Sequence, residues 1–246
     1  MDGTANQPET PVQRTISYSR VVELSRVIHP DIPIWPEDPA VDFEEVASLD
    51  TAGYFLRRFS MGEHTATHMN APNSFHAGGI AIDAHPTESL IAPAVVMNQR
   101  ERTVADPDYA LSEADVHAWE SRHGRVPPGS VVLLQTGWQA KWDNPQDYLG
   151  IDKSGSHHFP GFSYDGARYL ITQRDAAGLG IDTHGLEPGT NETFAVNRLV
   201  LERPRIALEN LTNLDLLPPT GVTLVIGLLR LRGGSGAPVS VLAFVE

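Results

Sequence analysis

Glycine and proline interrupt this chain throughout, with 21 Gly and 19 Pro among 246 residues, and the segments between them are short apolar runs. Punctuation of that kind favours many strands and few helices. Strands are predicted at Val21–Ile28, Phe55–Met61, Ala94–Asn98, Val131–Gln135, Gly178–Ile181, Ile206–Leu208, Leu224–Leu228 and Val239–Val245. Several are continuously apolar, as strands covered on both faces are. Two helices interleave with them. Ser112 offers an N-cap followed by Glu113 and Asp115, with Gly124 as the stop. Ser163 caps a second, which gathers Ala167, Leu170 and Ile171 on one face before Gly178 opens a strand. The pattern reads as a mixed α/β fold built around a central barrel or sheet.

The formal charge of −13 argues against nucleic acid or an anionic membrane as a partner. No apolar run approaches the roughly 20 residues that a membrane span needs. With no cysteine, the chain forms no disulfide, and any tight divalent-metal site must use nitrogen and oxygen donors. Residues 1–14 are polar, with Pro8 and Pro11, and read as a flexible tail rather than a signal peptide or anchor. Residues 15–246 read as a single domain, and the expected setting is cytoplasmic.

One stretch carries most of the chemistry. His64-Thr65-Ala66-Thr67-His68-Met69-Asn70-Ala71-Pro72 places two imidazoles four residues apart, with a carboxamide two further on. Imidazole is the commonest nitrogen donor to first-row metals, and an amide or carboxylate oxygen completes such a shell. A helix is disfavoured here because Thr65 and Thr67 are β-branched and Pro72 pushes Ala71 out of the helical region. The pair is therefore expected on a turn bracketed by Gly62 and Pro72, in a metal-dependent enzyme. Glu209, following the apolar strand Ile206–Leu208, would be costly to bury unpaired. Either metal coordination or an ion pair with Arg57, Arg58 or Arg230 would relieve that cost.

With these residues in place, the chain resembles the metal-dependent cyclase-like hydrolase family, whose members include bacterial kynurenine formamidase and isatin hydrolase. Six segments carry the resemblance, in the family's order and over nearly the whole length. They are Ile32-Pro33-Ile34-Trp35-Pro36 with Asp38-Pro39, the His64–Pro72 stretch, Pro128–Trp138, Pro160–Ser163, Gly180–Thr183 and Glu209–Leu214. The resemblance implies the swivelling β/β/α fold, a central barrel-like mixed sheet with peripheral helices, and a homodimer or higher homo-oligomer. It implies a small-molecule substrate, and a divalent ion (Mn or Zn) as cofactor. The expected reaction is hydrolysis of the carbon–nitrogen bond of a small aromatic or cyclic amide, a formamide or lactam. Lactone hydrolysis, cyclase chemistry, or binding without turnover are the alternatives on the same fold.

The departures from that pattern are specific. Two-metal members carry a bridging Asp two residues after the second His, where this chain has Asn70. A further family ligand, a His about twelve residues before the Glu209 position, is here Asn197. The family's catalytic His falls on Ser74, leaving His76 as the expected acid/base. Three occupancies fit these changes: one ion, two ions with altered ligands, or none in a scaffold that has lost catalysis. One ion is the favoured reading, with His64, His68, Asn70 and Glu209 as the expected metal set. Among the remaining histidines, His157, His158 and His184 are candidates for the substrate pocket, whereas His29, His85, His117 and His123 are expected on the surface. Trp35 and Phe59 are candidates for an apolar wall.

Overall fold

A computed structural model describes residues 15–246, so the expected N-terminal tail lies outside the described residues. The strands are β1 (Arg20–Glu23), β2 (Asp42–Ala47), β3 (Leu56–Ser60), β4 (His68–Asn70), β5 (Ile91–Asn98), β6 (Ala110–Leu111), β7 (Val131–Gln135), β8 (Gly161–Phe162), β9 (Gly178–Ile181), β10 (Ile206–Glu209), β11 (Val222–Leu228) and β12 (Gly236–Val245). The helices are α1 (Leu49–Ala52), α2 (Arg100–Ala105), α3 (Glu113–His123), α4 (Pro145–Leu149), α5 (Tyr164–Gln173) and α6 (Ala195–Val200).

The main sheet runs β1-β12-β11-β5-β7-β9-β10-β4, and a further pairing of β12 with β4 closes seven of these strands into a mixed barrel. Strands β5, β7, β9 and β10 are parallel to their neighbours in that run, while β4, β11, β12 and β1 join antiparallel. The parallel strands are covered on both faces, which is why they read as unbroken apolar runs. Alternate residues divide between two cores. Val96, Leu133 and Leu208 face inward with Leu224 and Val241. Val95, Val132, Leu134 and Leu179 face outward against Trp119, Leu170 and Val196 of the helices. Gly178 permits one close approach, since a Cβ there would stand 2.0 Å from the Ile206 carbonyl oxygen.

Both predicted helices form. In α3 the Ser112 and Asp115 side chains cap each other's backbone amides, and Gly124 follows the last residue. In α5 the Ser163 hydroxyl accepts from the Gly166 amide. Strands Val131–Gln135 and Gly178–Ile181 have the predicted limits, while of the Val21–Ile28 run only residues 21–23 lie in the sheet, within β1.

One surface expectation is corrected. His85 is 2% exposed, with Nε2 on the Ser89 hydroxyl at 2.9 Å, because the short turns around it fold under the Arg230 side chain. His29, His117 and His123 are exposed as expected. Among the described residues no helix is long and apolar enough to cross a membrane.

Candidate active site

Strand β4 is three residues long and polar at both ends, so it carries no apolar alternation by which sequence could have located it. It nevertheless closes the barrel and sets the site. Side chains two apart on a strand share a face, so His68 and Asn70 project together while Met69 enters the inner core. The β10–β4 register puts Glu209 directly opposite His68, and the β12–β4 register puts Gly236 opposite Asn70. A Cβ on Gly236 would stand 2.7 Å from His64 Cε1, so the absent side chain makes room for the second imidazole.

The hydrogen-bond pattern fixes both rings. His68 Nδ1 lies 2.9 Å from the Ala66 carbonyl oxygen, which can only accept. Its hydrogen is therefore on Nδ1, and in the neutral ring Nε2 is a bare lone pair. That nitrogen faces Glu209 Oε2 at 3.2 Å. The Ser235 hydroxyl donates to Glu63 Oε2 at 2.8 Å and so accepts from His64 Nε2 at 3.0 Å. His64 Nδ1 is then the bare nitrogen, and it faces Asn70 Oδ1 at 2.8 Å. Asn70 Nδ2 donates to Glu209 Oε1 at 3.1 Å and Asn197 Oδ1 at 3.3 Å, which fixes its carboxamide orientation. With both rings neutral, each bare imidazole nitrogen faces an oxygen, and neither pair holds a hydrogen.

A cation satisfies such an arrangement. Metal-bound histidines usually donate their other N–H to a carbonyl or carboxylate, as His68 does directly and His64 does through Ser235 to Glu63. Among the described residues no three His, Cys, Asp or Glu side chains by themselves form a metal-holding group. A shell here would need a donor of another type, and the Asn70 carboxamide oxygen, facing His64 Nδ1, is the one at hand. Burial, together with His68 beside it, pulls the His64 imidazole below its ordinary value. Burial pushes the Glu209 carboxyl upward, but the His68 imidazole and the Asn197 amide outweigh this and bring it below the usual carboxylate range. Among the described residues no guanidinium takes part: Arg58 pairs with Glu44, Arg57 covers the Phe43 ring, and Arg230 donates to the Asp83 and His85 carbonyls.

Asn197 occupies a separate role. Its Nδ2 donates to Glu187 Oε2 at 2.9 Å and Glu209 Oε1 at 3.1 Å, its backbone N–H donates to Glu187 Oε1 at 2.7 Å, and its Oδ1 accepts from Asn70. The carboxamide is satisfied within the protein. Sequence reasoning missed Glu187, which is buried and lines the cavity; burial raises its carboxyl above the usual range.

The cluster forms the floor of a cavity of about 660 Å³, a volume typical of small-molecule sites. Trp35 stacks on His157 at 4.2 Å between ring centroids and meets Phe159 edge-on at 6.3 Å. His184 also lines the wall, tilted against Trp35 at 5.3 Å. The neighbouring His158 instead pairs with Asp108 and Asp152. Phe59 is 57% exposed on β3, away from the lining. His76 is not among the lining side chains either: its ring donates to the Arg198 carbonyl at 2.8 Å, while Ser74 reaches the cavity.

Fold and site together define a cyclase-type hydrolase barrel, and the chain belongs to the putative cyclase family, whose model matches residues 22–188. The isatin hydrolase of Roseibium aggregatum is 30% identical over 242 residues, covering 92% of this chain and 91% of the relative. The kynurenine formamidase of Maricaulis maris is 22% identical, with 90% and 96% covered. Among solved structures, isatin hydrolase A from Ralstonia solanacearum superposes with a TM-score of 0.86 at 31% identity, covering 92% of each chain. An isatin hydrolase bound to the product analogue thioisatinate gives the same TM-score at 27% identity, again with 92% of each chain covered.

Proposed function

We propose that this protein hydrolyses the carbon–nitrogen bond of a small aromatic or cyclic amide, a formamide or lactam, at a single divalent ion, Mn or Zn. The observation that carries this reading is that His64 Nδ1 faces Asn70 Oδ1, and His68 Nε2 faces Glu209 Oε2, among side chains lining one aromatic cavity. The hydrolases among its relatives, one of them an isatin hydrolase across nine-tenths of both chains, support the reaction class.

His64, His68, Asn70 and Glu209 would hold the ion. When bound there, a divalent ion would supply Lewis-acid chemistry, polarising an amide carbonyl and making water more acidic. The protein's own groups do the rest. Trp35, His157 and Phe159 give the substrate ring an apolar wall and keep bulk water out. Ala66 and Ser235 hold the two imidazoles in one tautomer each, so no reorientation is needed during turnover. The leaving nitrogen must depart protonated, because an amide anion is a very poor leaving group. Glu187 is the cavity-lining carboxyl that burial keeps protonated to higher pH, and we assign it that proton in place of His76. Asn197 fills its own hydrogen bonds with Asn70, Glu187 and Glu209, which favours one ion over two.

The test is a substrate panel. Isatin, N-formylkynurenine and a simple aromatic lactone are incubated with the protein and Mn²⁺ or Zn²⁺, and ring opening is followed by ultraviolet absorbance. Turnover of an amide is expected. Turnover of the lactone alone, or binding without turnover, would overturn the amide assignment.

A further inference from the structure

Two cavity-lining side chains carry a buried polar atom without any hydrogen-bond partner: Oδ1 of Asn73 and Nε2 of His184. A carboxamide can exchange its oxygen and nitrogen by a flip, so the Asn73 group does not fix what it would bind. His184 is different, because its other nitrogen is held. Asn210 Nδ2 donates to the Ala66 carbonyl at 2.8 Å and lies 3.0 Å from His184 Nδ1, closer than the 3.2 Å of Asn210 Oδ1. The Tyr148 hydroxyl lies 2.9 Å from both that Oδ1 and the Asp182 carbonyl oxygen, with one hydrogen between them. The nearer contact, Asn210 Nδ2 with its second hydrogen free of Ala66, makes Nδ1 the acceptor and places the single hydrogen of the neutral ring on Nε2.

The ring cannot easily turn away. Trp35 flanks it at 5.3 Å, Tyr148 at 6.4 Å, and Asn210 is anchored by a left-handed backbone turn at φ 58° directly after Glu209. Burial lowers the imidazole to about 4, which keeps it neutral and its Nε2 a donor across the physiological range. A buried donor without a partner is costly. A cavity wall that holds one rigidly, beside a stacked tryptophan, is prepared for an oxygen acceptor on an aromatic ligand.

We propose that His184 is a specificity-determining residue, and that its Nε2–H binds a carbonyl or carboxylate oxygen carried on the ligand's aromatic ring. The inference rests on the reading of this cavity as a substrate site. It adds a recognition point supplied by the protein alone, built on the same Ala66 carbonyl that fixes His68. Aromatic ligands with a ring-attached carbonyl are selected over ligands of the same shape that lack the oxygen. His184 holds the ligand and takes no part in bond breaking.

Acetophenone and α-methylstyrene test this, being near-isosteric and differing in a carbonyl oxygen against a methylene. Neither has a hydrolysable bond, so the result is independent of turnover. Binding of each to the full chain in the presence of Mn²⁺ is measured by isothermal titration, for the wild type, His184→Phe and His184→Gln. The wild type should prefer acetophenone by about fivefold, in the range one neutral hydrogen bond provides. His184→Phe should abolish the preference while leaving α-methylstyrene binding unchanged, and His184→Gln, which keeps an N–H donor, should restore part of it. A wild type without preference, a preference that survives in His184→Phe, or binding of neither probe would overturn the proposal. If the preference is found but the substrate panel shows no turnover, the functional reading fails and this one stands. If amides are turned over without any such preference, the reverse holds.

Discussion

Nε2 of His68 stands 3.2 Å from Oε2 of Glu209 while the opposite nitrogen of the same ring donates to the Ala66 carbonyl. A neutral imidazole has no hydrogen left for that carboxylate, so the pair requires a positive charge between them, either a second ring proton or a metal ion. Both side chains are buried, where a lone carboxylate would be costly to keep.

His68→Ala should therefore remove the ion and the activity together. Leaving Glu209 buried without its partner should also destabilise the fold by about 3 kcal/mol or more. Adding Glu209→Gln to that variant should recover part of the stability without recovering metal. Metal analysis and urea unfolding of the two variants read both effects. Full metal content in His68→Ala would exclude the pair as ligands.

Asn70 sets the strength of the site. Asn70→Asp adds a negative charge to the donor set and should raise divalent affinity by tenfold or more, about 1.4 kcal/mol. Asn70→Ala should reduce occupancy, because it removes the oxygen that faces His64 Nδ1 at 2.8 Å. Asn197→His on the Asn70→Asp background should allow a second ion, measured by titration against a fluorescent competitor.

Ser235 and Glu63 act on His64 from behind. Ser235→Ala removes the acceptor for His64 Nε2–H and lets the ring adopt the wrong tautomer. A loss of about 10- to 100-fold in metal affinity is expected from such a change, with unfolding nearly unaffected. Equal affinity in wild type and variant would mean that the relay does not position His64.

The fold was largely legible, and the site partly so. The parallel strands announce themselves because they are buried on both faces, so Val131–Gln135 and Gly178–Ile181 appear as apolar runs in sequence. The caps at Ser112 and Ser163 are local chemistry and are equally visible. Strand β4 was invisible because its polar residues face the cavity rather than solvent, and only its pairing with β10 and β12 makes it a strand. Glu187 and Ser235 gave no signal because their roles come from contacts with Asn197 and His64, 10 and 171 residues away. His76 was placed by spacing alone, and the turn from Pro72 carries its ring to the Arg198 carbonyl instead.

His85 supplies a pH signature outside the site. Burial, with the Arg230 charge beside it, lowers its imidazole from 6.5 to about 4. The folded state resists protonating this ring while the unfolded chain accepts the proton. Its contribution is therefore present above pH 6.5 and lost as pH falls toward 4, amounting to about 3 kcal/mol. His184, also lowered to about 4, acts in the same direction. Urea midpoints should fall between pH 7 and pH 4.5, and His85→Gln, which keeps a donor for Ser89, should flatten that decline.

The most direct test of the central claim is metal content measured together with chelator sensitivity on the wild-type protein. Elemental analysis after exchange into Mn²⁺ or Zn²⁺ and removal of excess should find about one ion per chain. Chelation should abolish hydrolysis of whichever amide the substrate panel shows to be turned over, and stoichiometric ion should restore it. A chain that retains no ion, or that hydrolyses the amide at full rate after the ion is stripped, would contradict the account.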